Sequence, residues 1–294
     1  MSSVKATLIG LLAIVLWSST VGFIRIVSSS FGTVLAAFLM HAIGAVVLFF
    51  LLGLTKPTHL KRNYLIFGSL TFVAYLFCVF FAVGMAQNSQ QAIEVGMVNY
   101  LWPALVIISA VIFNKQYANW YLLLPGFLIA ITGISLVLGG HNGLNLVSII
   151  NNIKLNPLSY LLAFIGANIW AIYCTITVRT AQGQNPITLF FIFTAGAFGI
   201  LYLAMGFEPI TINFKAIIYL LLATLANCFG YAAWNIGILH GNVSLLAGIS
   251  YFIPVLSAII SAIMLQTILP IQFWYGAAMV CVGSVLCWFA TRKK

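Results

Sequence analysis

A chain of 294 residues that is 63% hydrophobic and only 5% charged cannot cover itself with a water-soluble surface, because a soluble domain carries about 25% charged residues. Twelve Lys and Arg stand against two acids, Glu94 and Glu208, for a formal net charge of +10, and there is no Asp. So few carboxylates exclude most acid–base and metal-centred enzymology. The basic residues lie between apolar runs rather than in one patch, which argues against a nucleic-acid partner. With a mean hydropathy of +1.15, the bilayer is the solvent for most of this surface.

The spacing predicts an all-α membrane protein of ten transmembrane helices. In chain order these are 6–27, 33–54, 64–86, 92–113 and 121–138, then a polar stretch at 139–157, then 158–178, 187–205, 216–239, 244–265 and 271–290. Each is close to the ~20 residues that span ~30 Å at 1.5 Å per residue. The first run is too long for a cleaved signal, contains Trp17 and lacks a small-residue cleavage site, so it reads as a retained helix. Cys78, Cys174, Cys228, Cys281 and Cys287 all fall inside apolar runs, as small packing residues rather than a disulfide or zinc framework.

Orientation follows from the basic residues. A cytoplasmic N-terminus puts Lys5, Lys56, Lys61, Arg62, Lys115, Arg179, Arg292, Lys293 and Lys294 inside, and only Arg25, Lys154 and Lys215 outside. This is the positive-inside bias, and it places both termini in the cytoplasm.

The chain also repeats itself. Tyr100-Leu101-Trp102-Pro103 recurs as Tyr251-Phe252-Ile253-Pro254, 151 residues later; Trp17 corresponds to Trp170; and Gly126 and Gly133 correspond to Gly276 and Gly283. The expected organisation is a first five-helix repeat at 1–140, a connection at 141–157 on the outer side, and a second repeat at 158–294. An odd number of spans inverts the second copy, an architecture in which the substrate site lies near the midplane between the halves.

Several residues at that depth can build such a site. Pro103 and Pro254 each remove a backbone N–H and are expected to kink their helices. Trp17, Tyr75, Tyr100, Trp102, Trp170, Tyr173, Tyr231, Trp234 and Tyr251 offer aromatic walls, and Asn99, Asn168 and Asn235 offer amide handles. Spacing puts Asn99 and Trp102 on one face, Trp170 and Tyr173 on another, and Tyr231, Trp234 and Asn235 in a stripe. Interhelical packing is the plainer role for any one of them. Flat apolar walls with a few amides suit a small molecule with a ring and a polar end; a nucleotide would require Arg or Lys at this depth. Glu94 is the candidate for gating or proton coupling, with Arg25 as a candidate partner. His41 can titrate or simply pack. Gly241, in His240-Gly241-Asn242, is expected to end the eighth helix.

The stretches AIEVGMVNYLWP at 92–103 and YAAWNIGILHGN at 231–242 carry a family resemblance. The chain resembles the drug/metabolite transporter superfamily in its EamA-type, ten-helix form, along essentially its whole length. The resemblance implies export of phenylalanine, tyrosine and tryptophan across a bacterial inner membrane, with tolerance for other amino acids and for flat cations. An exporter of aromatic cations is the alternative within transport, since aromatic walls also accept such ligands. The expected partners are a small-molecule substrate and membrane lipid. No cofactor or metal is expected, no ATP-binding motif is present, and the sequence assigns no oligomeric state.

Overall fold

The computed structural model describes residues 2–205, 210 and 213–291, leaving aside the side chains of residues 114, 235, 238, 239, 243, 244, 247 and 248. Among these residues the fold is helical throughout, with no strand. The chain is a multi-pass membrane protein. Among the described residues, eight helical stretches are long and apolar enough to cross a bilayer, or nine when the bent pair near the N-terminus is taken as one span. Glu208, Arg292, Lys293 and Lys294 lie outside the described residues.

The first predicted helix is in fact two, α1 (Ser3–Ser18) and α2 (Thr20–Phe31), bent by 42°. Two consecutive serines account for the break. Ser18 Oγ donates to the Ile14 carbonyl at 2.7 Å and Ser19 Oγ to Leu16 at 2.6 Å, competing with the main-chain ladder where the bend falls. Next come α3 (Thr33–Leu52), a π turn at Tyr64–Gly68 that leads into α4 (Ser69–Gly84), α5 (Ser89–Asn99), α6 (Trp102–Asn114) and α7 (Trp120–Leu138). The expected fourth helix is thus α5 and α6 in sequence.

The stretch at 139–157, expected to be polar connection, contains a helix, α8 (Leu146–Leu155), capped by Asn145. Beyond it lie α9 (Pro157–Thr180), α10 (Ile187–Met205) and α11 (Phe214–His240), with Gly241 capping α11 as expected. The expected ninth helix arrives as α12 (Val243–Ser250) and α13 (Ile253–Met264), and α14 (Ile271–Ala290) closes the chain.

Pro103 and Pro254 therefore sit in the first turn of a new helix rather than inside a kinked one, where the missing N–H leaves no helical bond unmade. The backbone tightens just before each. Leu101 N–H donates to Val98 O at 3.2 Å and Phe252 N–H to Ile249 O at 3.0 Å. Regular spacing then resumes from Leu105 to Leu101 and from Leu256 to Phe252, each at 3.1 Å.

Helices pack through small residues and show large ones to lipid. On α1, Ala6, Gly10, Ala13 and Ile14 are buried while Val4, Leu8, Leu12 and Val15 are exposed, the reverse of a water-soluble surface but the rule in a bilayer. The most extensive packings are α7 on α14, α1 on α11, α3 on α10, and α4 on α9. Between α7 and α14, a Cβ added to Gly133 would stand 2.6 Å from the Gly276 carbonyl, and Gly126 meets Gly283 in the same way. Two glycine pairs let these backbones touch.

Connections are tied to one another at the ends of the bundle. Asn242 N–H donates to Thr7 Oγ1, and Asn119 N–H to Ala290 O, both at 2.8 Å. Near the α4–α5 turn, Gln87 donates to Leu155 O and Asn156 to Met85 O.

Candidate functional site

The two helix breaks and the α1–α2 bend surround a cavity of about 110 Å³, several times the 10–15 Å³ that one water needs. Of the aromatic residues expected at the site, Trp17, Tyr75, Tyr100, Trp102, Trp170 and Tyr231 line it, as does Asn99. The rings form two walls. Trp170 packs on Tyr75 at 4.5 Å between centroids and meets Trp102 edge-on at 6.4 Å. Opposite in the repeat, Trp17 meets Tyr231 edge-on at 5.2 Å and Trp234 at 5.4 Å. A glycine makes room for that indole: a Cβ at Gly230 would lie 2.6 Å from Trp17 Nε1.

Polar atoms are few and two are unspent. Trp17 Nε1 and Asn99 Oδ1 are buried and have no hydrogen-bond partner in the protein. One is a donor and the other an acceptor, and both residues line the cavity. A buried polar atom without a partner costs about 1–3 kcal/mol, so a ligand that satisfies both gains that back.

The remaining candidates lie elsewhere. Trp234 and Tyr173 stand behind the wall, Trp234 tilted against Trp17 and Tyr173 stacked on Trp170. Asn168 donates to Phe164 O in its own helix at 2.8 Å and is away from the cavity. Tyr251 packs on Trp288 at 6.0 Å in a separate cluster with Ala104, Ile107 and Leu123. The Asn235 side chain is outside the described set. His41 is fully buried in a cage of Phe80, Phe191 and Phe198, with Nδ1 donating to Ala37 O at 2.7 Å. It packs; it does not face the cavity.

Glu94 and Arg25 do not form the expected pair. Arg25 Nη1 donates to Gly84 O at 3.2 Å. Glu94, only 3% exposed, instead accepts from Gln90 at 2.8 Å on Oε1, and from Asn152 and Tyr160 at 2.9 Å on Oε2. Asn152 comes from α8, the helix that composition alone did not suggest.

Sequence reasoning also missed Asn227, a buried amide on the cavity wall. Its signal was available: it lies four residues before Tyr231 and so shares that residue's helix face. The apolar lining, including Val21, Ile24, Met40 and Phe80, carried no signal that separates it from ordinary core.

Known proteins resemble this chain over its full length. The EamA-like transporter family model matches residues 4–139 and 157–289. A relative from Salmonella typhimurium (strain 14028s / SGSC 2262), named aromatic amino acid exporter YddG, is 51% identical over 100% of both chains. A relative of the same name from Escherichia coli (strain K12) is 49% identical, again over 100% of both. A third bearing that name, from Ancylobacter novellus, is 28% identical over 88% of each. A solved structure described only as the crystal structure of a protein superposes with a TM-score of 0.66 at 20% identity, covering 99% of both chains; it speaks to the fold alone.

Proposed function

The chain belongs to the EamA-like transporter family, and from that premise we propose that it exports phenylalanine, tyrosine, tryptophan and related small molecules across the bacterial inner membrane by alternating access. The observation that carries this is the cavity itself: flat aromatic walls with one unspent donor, Trp17 Nε1, and one unspent acceptor, Asn99 Oδ1. An aromatic amino acid presents a ring, a carboxylate that accepts and an ammonium that donates. Its ring packs between Trp170 and Tyr231, its carboxylate takes the indole N–H, and its ammonium takes the Asn99 carbonyl. Two relatives about half identical in sequence carry the matching name.

The architecture behind this reading is ten spans in two inverted five-helix repeats, at 1–140 and 158–294, joined by 141–157, with both termini cytoplasmic. The helix packings support it. Exchanging each helix of the first half for its counterpart in the second turns α1 on α11 into α9 on α4, and leaves α3 on α10 and α7 on α14 unchanged. The glycine contacts obey the same exchange, since 126 with 283 becomes 276 with 133. The family match falls in two stretches that bracket the connection. Alternating access is then a rocking of one half against the other around the cavity.

Uptake of labelled phenylalanine into proteoliposomes, with and without an imposed pH gradient, tests the function. Saturable uptake without the gradient supports facilitated diffusion. A strict gradient requirement supports proton coupling, with Glu94 as the first residue to substitute. No uptake of any aromatic amino acid by folded protein overturns the reading and leaves the exporter of aromatic cations.

A further inference from the structure

A second cavity, of about 500 Å³, opens where α5 begins, between the end of α7 and α8. Its lining is amide-rich, including Gln87, Asn88, Asn142 and Asn151, and Glu94 lies at its inner side. Glu94 is only 3% exposed, yet its three donors, Gln90, Asn152 and Tyr160, are all neutral. Oε2 accepts two hydrogen bonds and Oε1 only one, so one lone pair is left on the carboxylate. A buried charge with only neutral partners is costly and favours a countercharge.

The two cavities are neighbours along shared helices. Glu94 precedes Asn99 by five residues on α5, about 7–8 Å at 1.5 Å per residue, and Tyr160 precedes the cavity residue Ala163 by three on α9. The Glu94–Tyr160–Asn152 cluster therefore lies between the aromatic cavity and the outer one. The repeat offers no counterpart to Glu94: 151 residues after it stands Leu245, and among the described residues no helix like α8 joins the other connections.

We propose that this amide-lined cavity is a second binding site, for the primary ammonium of the transported amino acid, with Glu94 as its anchor and Asn152 as a latch that the ammonium displaces. The proposal rests on the amino-acid reading above. A charge-assisted N⁺–H···O⁻ bond is about twice as strong as a neutral amide donor's. An arriving ammonium therefore replaces the Asn152 amide on Oε2, which loosens α8 at Glu94 while the Gln87–Leu155 and Asn156–Gln91 hydrogen bonds hold its C-terminal end, and opens the way between the cavities. The substrate's own charge releases the latch.

The test is inhibition of labelled phenylalanine uptake in proteoliposomes by phenethylamine, which keeps ring and ammonium, and by 3-phenylpropanoate, which keeps ring and carboxylate. Glu94→Gln should weaken inhibition by phenethylamine about tenfold and leave 3-phenylpropanoate unchanged. Asn152→Ala retains the carboxylate and removes the latch; it should strengthen inhibition by phenethylamine alone, and it carries the test by itself if Glu94→Gln does not reconstitute. Equal effects on both inhibitors, or none, overturn the proposal, as does phenethylamine failing to inhibit the unmodified protein while phenylalanine uptake proceeds. An uptake that needs external Na⁺ and loses that need in Glu94→Gln, with both inhibitors shifted alike, assigns the site to an inorganic cation and overturns it too. Absence of phenylalanine uptake by the unmodified protein is a different result, since it removes the transport reading first.

Discussion

Trp17 shows how much one side chain is asked to do. It forms a wall of the cavity, packs on Tyr231 and Trp234, and holds its N–H without a partner. Trp17→Phe removes the donor and keeps a smaller aromatic ring there. A hydrogen bond to a charged group contributes about 1.5–3 kcal/mol, so the half-saturation concentration for phenylalanine should rise about tenfold or more, with expression and thermal stability in detergent close to those of the unmodified protein. An unchanged half-saturation concentration rejects the pairing of the indole with the substrate carboxylate. Trp102→Ala and Trp170→Ala remove ring contacts instead and should weaken binding of tryptophan and phenylalanine alike. Trp17, Tyr75, Asn99 and Tyr231 were readable as site candidates because large rings and amides in mid-span need partners. Tyr251 met the same criterion and failed, because Trp288 and its small cluster already accommodate it. One chain position cannot reveal which neighbours occupy the space around it.

Helices in this protein meet through what they lack. The α7–α14 contact depends on Gly126, Gly133, Gly276 and Gly283, and any side chain at Gly133 would run into the Gly276 carbonyl. Gly133→Leu should force the two helices apart, at a cost of about 1–3 kcal/mol for overpacking, seen as a lower midpoint of thermal denaturation in detergent. Gly196, on α10, has nothing within 4 Å of its added Cβ, so Gly196→Ala should leave that midpoint unchanged. Equal loss in both variants would mean that the glycines matter for reasons other than close approach. Helix identity was legible from apolar length alone, since lipid demands continuous apolar runs. Helix continuity was not. The break at Ser19 follows from hydroxyls bonding back to their own turn, and those at Tyr100 and Tyr251 follow from prolines that begin new helices.

For the whole molecule, the ten-span topology makes a direct prediction. Lys154, at the end of α8, and Lys115, at the end of α6, should lie on opposite sides of the membrane. In intact cells an impermeant maleimide should label Lys154→Cys and not Lys115→Cys until the cells are opened. Labelling of both, or of Lys115→Cys alone, rejects the orientation. Four of the five native cysteines are buried, so the background is low. The connection at 141–157 gains its meaning only at this scale. As sequence it is a polar interval; in the fold its α8 supplies Asn152 to Glu94, while Asn156, after it, bonds Gln91 and the Met85 carbonyl.

Composition put the chain in a membrane, since 5% charged residues cannot cover a water-soluble surface, and apolar runs of about 20 residues made it helical, since barrel strands need only about 9–11. The family was equally legible, carried by two long motifs, one across α5 and α6 and one at the end of α11. Only the tertiary structure decided which aromatic residues share a cavity, where the helices break and what holds Glu94. Those outcomes depend on side chains from distant helices competing for the same few ångströms. The apolar pattern that sends every helix into the bilayer is nearly the same on all of them, so it does not distinguish one inward face from another.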